Sequence, residues 1–141
     1  MPSTGDDPSG VDPGRFATDL ATVLQQVVPD TVAVQPAGDD LAFAGRGDGS
    51  DRLGRAGSHV GQFFGLLADR YADDASRVLA ACLHAMSDLQ DFVAEATTDP
   101  WPNRGPGVMP EPHGRIGADG VDQWFGDEGR PVLTLPRMPA P

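Results

Sequence analysis

Three histidines and one cysteine are the residues with which this chain could run acid–base, nucleophilic or metal chemistry. His84, Ser87, Asp88 and Asp91 fall on one face of a helical pattern, and His84 with Asp88 is an i, i+4 pair, close enough for imidazole and carboxylate to meet. A Ser-His-Asp site also needs a cleft and an oxyanion hole. These four residues are the polar half of an amphipathic helix and read as a solvated face. Cys82 and His84, two positions apart, point about 200° from one another on a helix and cannot share an ion. Cys82 lies in the apolar arc and reads as an inert core thiol.

A second polar set gathers toward the C-terminus: Glu111, His113, Asp119, Asp122, Asp127 and Glu128. Loop-borne polar groups beside aromatic residues are where a small hydrolase-like enzyme would hold its site. Asp119-Gly-Val-Asp122 lacks the alternating oxygens of a calcium-binding loop. Gly45-Arg-Gly-Asp-Gly-Ser50 follows a strand pattern, but its spacing is wrong for a dinucleotide loop and it puts aspartate where an anion would sit. All ten basic residues are arginine, which removes the P-loop lysine and any Schiff-base mechanism. No cofactor and no metal is expected.

Other residues are better suited to contact than to catalysis. Trp101 sits in Pro-Trp-Pro, where the backbone is preset as extended, and its ring can anchor that segment on the core or meet a partner. Trp124 and His113 belong to the C-terminal polar set and are candidate partner contacts for the same reason. Gly57, Gly61 and Gly65 recur every four residues, and such a strip lets another backbone come close. Gly61 and Gly65 are therefore candidates for a homodimer interface.

The elements that must position these residues follow from periodicity. Asp12-Pro13 reads as an N-cap with proline in the first helical position. Phe16, Leu20, Val23, Leu24 and Val27 then mark one helical face up to Pro29. Residues 31–35 and 41–45 alternate around a turn-forming Pro36–Asp40, which predicts a β-hairpin. Residues 45–57 read as a Gly- and Arg-rich loop. Val60, Phe63, Phe64, Leu67 and Tyr71 stand at helical spacing and predict a helix over 58–71. A longer one follows over 75–97, with Arg77 on its polar half. Its apolar arc spans about 180°, wider than the ~100° that rests on one surface, so it should be covered from two directions. Five prolines between 99 and 112 mark an extended linker. Arg115-Ile116, Val121–Phe125 and Val132–Leu135 then predict a three-stranded meander.

The fold class expected is α+β: helix, β-hairpin, two helices and a C-terminal meander, with the helices packed on a small antiparallel sheet. Residues 1–11 are expected to be a disordered tail and 12–141 one domain with its internal linker at 99–112. The helix-then-hairpin order over residues 13–45 resembles the opening of the secretion-chaperone-like group of small acidic α+β proteins, which implies a protein-binding role. The chain departs from that group by closing on strands where its members close on a helix.

Composition narrows the function classes. Ten basic against 21 acidic residues in 141 give a net charge of −11. A nucleic-acid backbone calls for the opposite surface. A lone cysteine rules out an intramolecular disulfide framework. Met1–Gly10 carries Asp6 and Asp7 and no apolar run, and no stretch reaches the ~18 apolar residues of a membrane span. Cytoplasmic placement is expected, with neither membrane nor nucleic acid as partner. The missing lysine beside abundant Asp, Gly, Pro, Ala and Arg is the mark of GC-rich coding and points to a high-GC bacterium. The reading that remains is a small acidic protein-binding, adaptor or chaperone-like domain, not a catalyst. Its alternatives are the hydrolase-like enzyme above and an immunity- or antitoxin-like neutraliser, whose −11 would speed association with a basic partner.

Overall fold

A computed structural model gives the structure of residues 10–45, 55–97, 101–102 and 109–140. The expectations for residues 1–9, for the glycine-rich loop from 46 to 54 and for most of the proline-rich stretch lie outside these residues. Helix α1 runs Pro13–Gln25, and the Asp12 carboxylate accepts the backbone N–H groups of Gly14 (3.1 Å) and Arg15 (3.3 Å). Two donors left open by the helix start are thereby satisfied. Strands β1 (Val32–Ala37), β2 (Asp40–Gly45) and β3 (Arg55–Ser58) form an antiparallel sheet in that order. The expected hairpin is β1–β2, and the end of the expected loop supplies its third strand.

The helix expected over 58–71 is not formed, so two α-helices stand among the described residues where three were expected. Two short 3-10 turns, Val60–Phe64 and Ala68–Arg70, take its place. The apolar pattern is satisfied all the same, because Val60, Phe63 and Phe64 are buried and Leu67 and Tyr71 pack partly buried against the core. Glycine decides the backbone. Gly57 pairs with Ala42 in the sheet. Gly61 donates its N–H to Asp40 Oδ1 (3.0 Å), and a Cβ on it would lie 2.8 Å from Asp39 Cβ and from the Asp39 carbonyl oxygen. Of the three spaced glycines, Gly61 makes this approach to the β1–β2 turn and Gly57 lies against the Leu41 carbonyl of β2, and each glycine weakens a helix.

Helix α2 spans Asp74–Thr97. Its wide apolar arc is covered from two sides, as the pattern requires, but by two sheets. Strands β3 and β2 and the Val60–Phe64 turn pack on one side, and β4 (Pro112–Gly117) lies on the other. Phe92 meets Phe43 of β2 with ring centroids 5.9 Å apart. Gly114 of β4 sits where a Cβ would come within 2.9 Å of Leu79 Cδ1. The second sheet is the expected meander, β4–β5–β6, with β5 at Gly120–Asp127 and β6 at Arg130–Thr134. Val121 and Phe125 of β5 belong to the same buried cluster as Leu89, Met86 and Phe16.

Two residues read as polar periphery are drawn in. Arg77 is only 8% exposed. Its guanidinium donates to the carbonyls of Ala68 (2.9 Å) and Tyr71 (3.2 Å) and to Asp74 Oδ1 (2.7 Å), tying the second 3-10 turn to the start of α2. Val11, placed by sequence in the tail, is buried, and the Gly10 N–H reaches Asp74 Oδ2 at 3.0 Å.

Because Leu89 is fully buried between both layers, Leu89→Ala should cost about 2–5 kcal/mol. Against a total of roughly 5–15 kcal/mol for a small domain, thermal unfolding by circular dichroism should register a clear fall in Tm. An unchanged Tm would remove α2 from the centre of the core.

Candidate functional site

Alternation along the second sheet sorts its residues by face. Val121, Gln123 and Phe125 of β5 point to the core, and Asp122 and Trp124 point outward. On β4, His113 pairs with Trp124 and Arg115 with Asp122. On the other side of β5, Thr134 pairs with Trp124, and the Val121–Met138 bridge sets Arg137 beside Asp122. Two rows therefore cross the outer face: His113–Trp124–Thr134 and Arg115–Asp122–Arg137.

The side chains within these rows are fixed to one another. The His113 ring stacks on the Trp124 indole at 27° with centroids 6.0 Å apart. Arg115 lies 5.5 Å from the indole centroid, a cation–π distance, and continues across it to bond Glu128. Arg137 grips Asp122 with two hydrogen bonds, at 2.9 and 3.2 Å. This pair holds the Asp122 carboxyl below its ordinary value, with a smaller contribution from the Arg115 charge, and the bond to Asp122 raises Arg137. Trp124 itself is half-buried.

The five positions singled out in sequence do not form one patch. Trp124 and His113 are stacked neighbours. Trp101 packs edge-on against Phe125, centroids 5.4 Å apart, and Phe125 points to the core, away from the outer-face rows. Gly61 is taken up by the β1–β2 turn. Gly65 is exposed at the end of the first 3-10 turn, beside Leu66, which is 85% exposed.

The groups considered for catalysis are brought together only in part: His113 and Asp122 share the outer face in adjacent rows. Asp119 and Asp127 bracket β5, which at ~3.3 Å per residue separates them by about 25 Å. His84 pairs with Asp88 (3.1 Å) and rests its ring edge on Phe63; Ser87 and Asp91 are exposed. Sequence reasoning passed over a further pair, His59 Nδ1 with Asp40 Oδ2 at 3.3 Å. Ser58 precedes that histidine, but its hydroxyl is buried without a hydrogen-bond partner. Burial pushes the Cys82 thiol far above its ordinary pKa, so it stays protonated and inert. Among the described residues no group of three or more His, Cys, Asp or Glu could hold a metal ion, and no helix is long and apolar enough to cross a membrane.

Gln123 was also missed, although an amide between inward Val121 and Phe125 breaks the alternation visibly. It is 0% exposed, and neither Nε2 nor Oε1 has a partner. Gln90, by contrast, donates to the Pro110 carbonyl (2.5 Å) and so fastens the approach to β4 onto α2. A cleft of about 190 Å³ lined by Val11, Ala75, Val78, Ile116 and Ala140 is apolar, with Asp74 on its wall. Comparison with protein-family models, with curated proteins and with solved structures finds no match. The geometry alone carries the functional reading.

Two measurements follow from this geometry. Gln123→Leu removes an unpartnered amide at similar volume and should stabilise the fold by about 1–3 kcal/mol, seen as a raised Tm; a lowered Tm would mean that the amide is satisfied. Asp122, whose folded pKa lies below its unfolded one, contributes stability above the ordinary carboxylate value that is lost as pH falls through the folded pKa. In Arg137→Ala its titration, followed by NMR, should move up toward the ordinary value. No movement would show that Arg137 is not the cause.

Proposed function

We propose that this chain is a non-catalytic protein-binding domain, adaptor or chaperone-like in its use, that meets its partner through the outer face of the second sheet. The observation that carries this reading is Trp124, half-buried on an otherwise solvated sheet and held between His113 and Arg115. Tryptophan and arginine dominate the energetics of protein interfaces. Side chains already locked by stacking and ion pairing lose less freedom on binding. The arginines of this face are each matched by a carboxylate, Arg115 by Glu128 and Arg137 by Asp122. The net charge of −11 then acts on the approach of a partner, favouring a basic one, more than on the seal of the contact.

The meander and the helical layers act in this reading as one domain, supported by the buried cluster that Phe125 shares with Phe16 and Leu89. The unpaired, buried Cys82 is in keeping with a cytoplasmic setting.

The test is a paired capture from the native host with wild-type and Trp124→Ala protein, after circular dichroism confirms that both are folded. A stoichiometric partner should be retained by the wild type and bound at least about 30-fold more weakly by the variant, the equivalent of a ~2 kcal/mol hot spot. Equal binding by both proteins, or no stoichiometric partner at all, would overturn the reading.

A further inference from the structure

Strand β1 is an outer strand of its sheet, since the order is β1–β2–β3. An outer strand presents a row of backbone N–H and C=O groups on which another chain can build. Here the donors of that row are taken. The Gln25 side chain, from the last residue of α1, accepts the Val34 N–H at Oε1 (2.7 Å) and donates from Nε2 to the Val32 carbonyl (3.1 Å). One primary amide thus supplies one donor and one acceptor of the kind a neighbouring strand would supply. Backbone hydrogen bonding alternates along a strand, so the outward N–H positions of β1 are those of Val32, Val34 and residue 36. The Val32 N–H is bonded to the Pro29 carbonyl at 3.0 Å. Residue 36 is proline and has no N–H. No outward donor of β1 is left open.

We infer that Gln25 is an edge plug, a side chain standing in the place of a fourth strand, and that it keeps β1 of a second copy of this chain from adding to β1 of the first. The second copy is the occupant that matters, because it carries the identical edge and an antiparallel pair of β1 strands is self-complementary about a two-fold axis. A groove of about 300 Å³, lined in part by Thr18, Thr22, Gln25, Val34 and Pro36, runs along the same edge. It offers room for an added backbone once the amide is gone.

The experiment compares wild type with Gln25→Leu, which keeps the bulk and the helix propensity and removes both hydrogen bonds. Sedimentation across a hundredfold concentration range reads association, and amide exchange by NMR reads the edge. In the wild type the Val34 amide should be protected like those of Ala33 and Gln35, which face β2. In dilute Gln25→Leu it should exchange roughly tenfold faster, the equivalent of one ordinary hydrogen bond. On concentration the variant should self-associate beyond the wild type, and the Val34 amide should become protected again. A folded Gln25→Leu that associates no more than the wild type would reduce Gln25 to an ordinary structural contact. Should that variant not fold, the wild-type measurement still decides. A Val34 amide exchanging as a free edge amide would overturn the plug, and protection equal to Ala33 would uphold it.

Discussion

Everything else in this molecule answers to the breadth of the apolar face on α2. A helix that buries Val78, Ala81, Cys82, Ala85, Met86, Leu89, Phe92 and Val93 cannot rest on one surface and leave the remainder to water. One side is taken by β2, β3 and the Val60–Phe64 turn, the other by β4. Each covering layer contains a three-stranded sheet that gains a packed face from α2, as a sheet of that size needs. The mutual need joins the two layers through a single helix. It also explains where backbone had to come close: Gly114 lets β4 approach Leu79, and Gly61 lets the 3-10 turn approach Asp39.

How far this was legible in the sequence depended on whether periodicity and backbone agreed. In α1 cap, proline and apolar stripe agreed, although the helix closes at Gln25, before the Pro29 that was expected to stop it. The meander was legible for the same reason, because its turns carry Gly and Asp where the chain reverses. Over 58–71 they disagreed. The apolar spacing there is helical, and a 3-10 path buries the same side chains, so the pattern alone could not tell one from the other. Gly57 and Gly61, part of a strip that lets another backbone approach within the fold or across a dimer interface, held the missing information. β3 was hidden because Arg-Ala-Gly-Ser has no apolar alternation of its own and pairs only because β2 is beside it.

The polar residues taken into the core were the least legible. Arg77, Gln90 and Gln123 look alike on a wheel or an alternation plot, yet they end in different states. Arg77 donates to the carbonyls of Ala68 and Tyr71 and to the Asp74 carboxylate, and these bonds offset the cost of burying its charge. Gln90 fastens a chain segment. Gln123 does neither and stays a cost. What separates them is the presence of a backbone carbonyl within reach, a fact of tertiary structure that local sequence does not contain. The candidate site shows the same division. That His113 and Trp124 lie in one region followed from the meander, whereas their pairing needed the register of β4 on β5.

The two sheets differ in how they treat what they leave uncovered, and the contrast bears on function. The outward N–H groups of β1 are closed by Gln25, by the Pro29 carbonyl and by proline at 36. The far edge of the second sheet carries Pro131 in β6 and Pro136 just beyond it. Fewer backbone donors are thereby offered at these two edges. The outer face of the second sheet bears a tryptophan, a histidine and two arginines, held in register by neighbours. A protein that excluded contact altogether would have no use for that face, and one that relied on strand addition would not close its edges. On the proposed reading, an ordered face beside two donor-poor edges favours recognition by side chains, which discriminate between partners, over recognition by backbone, which every chain possesses.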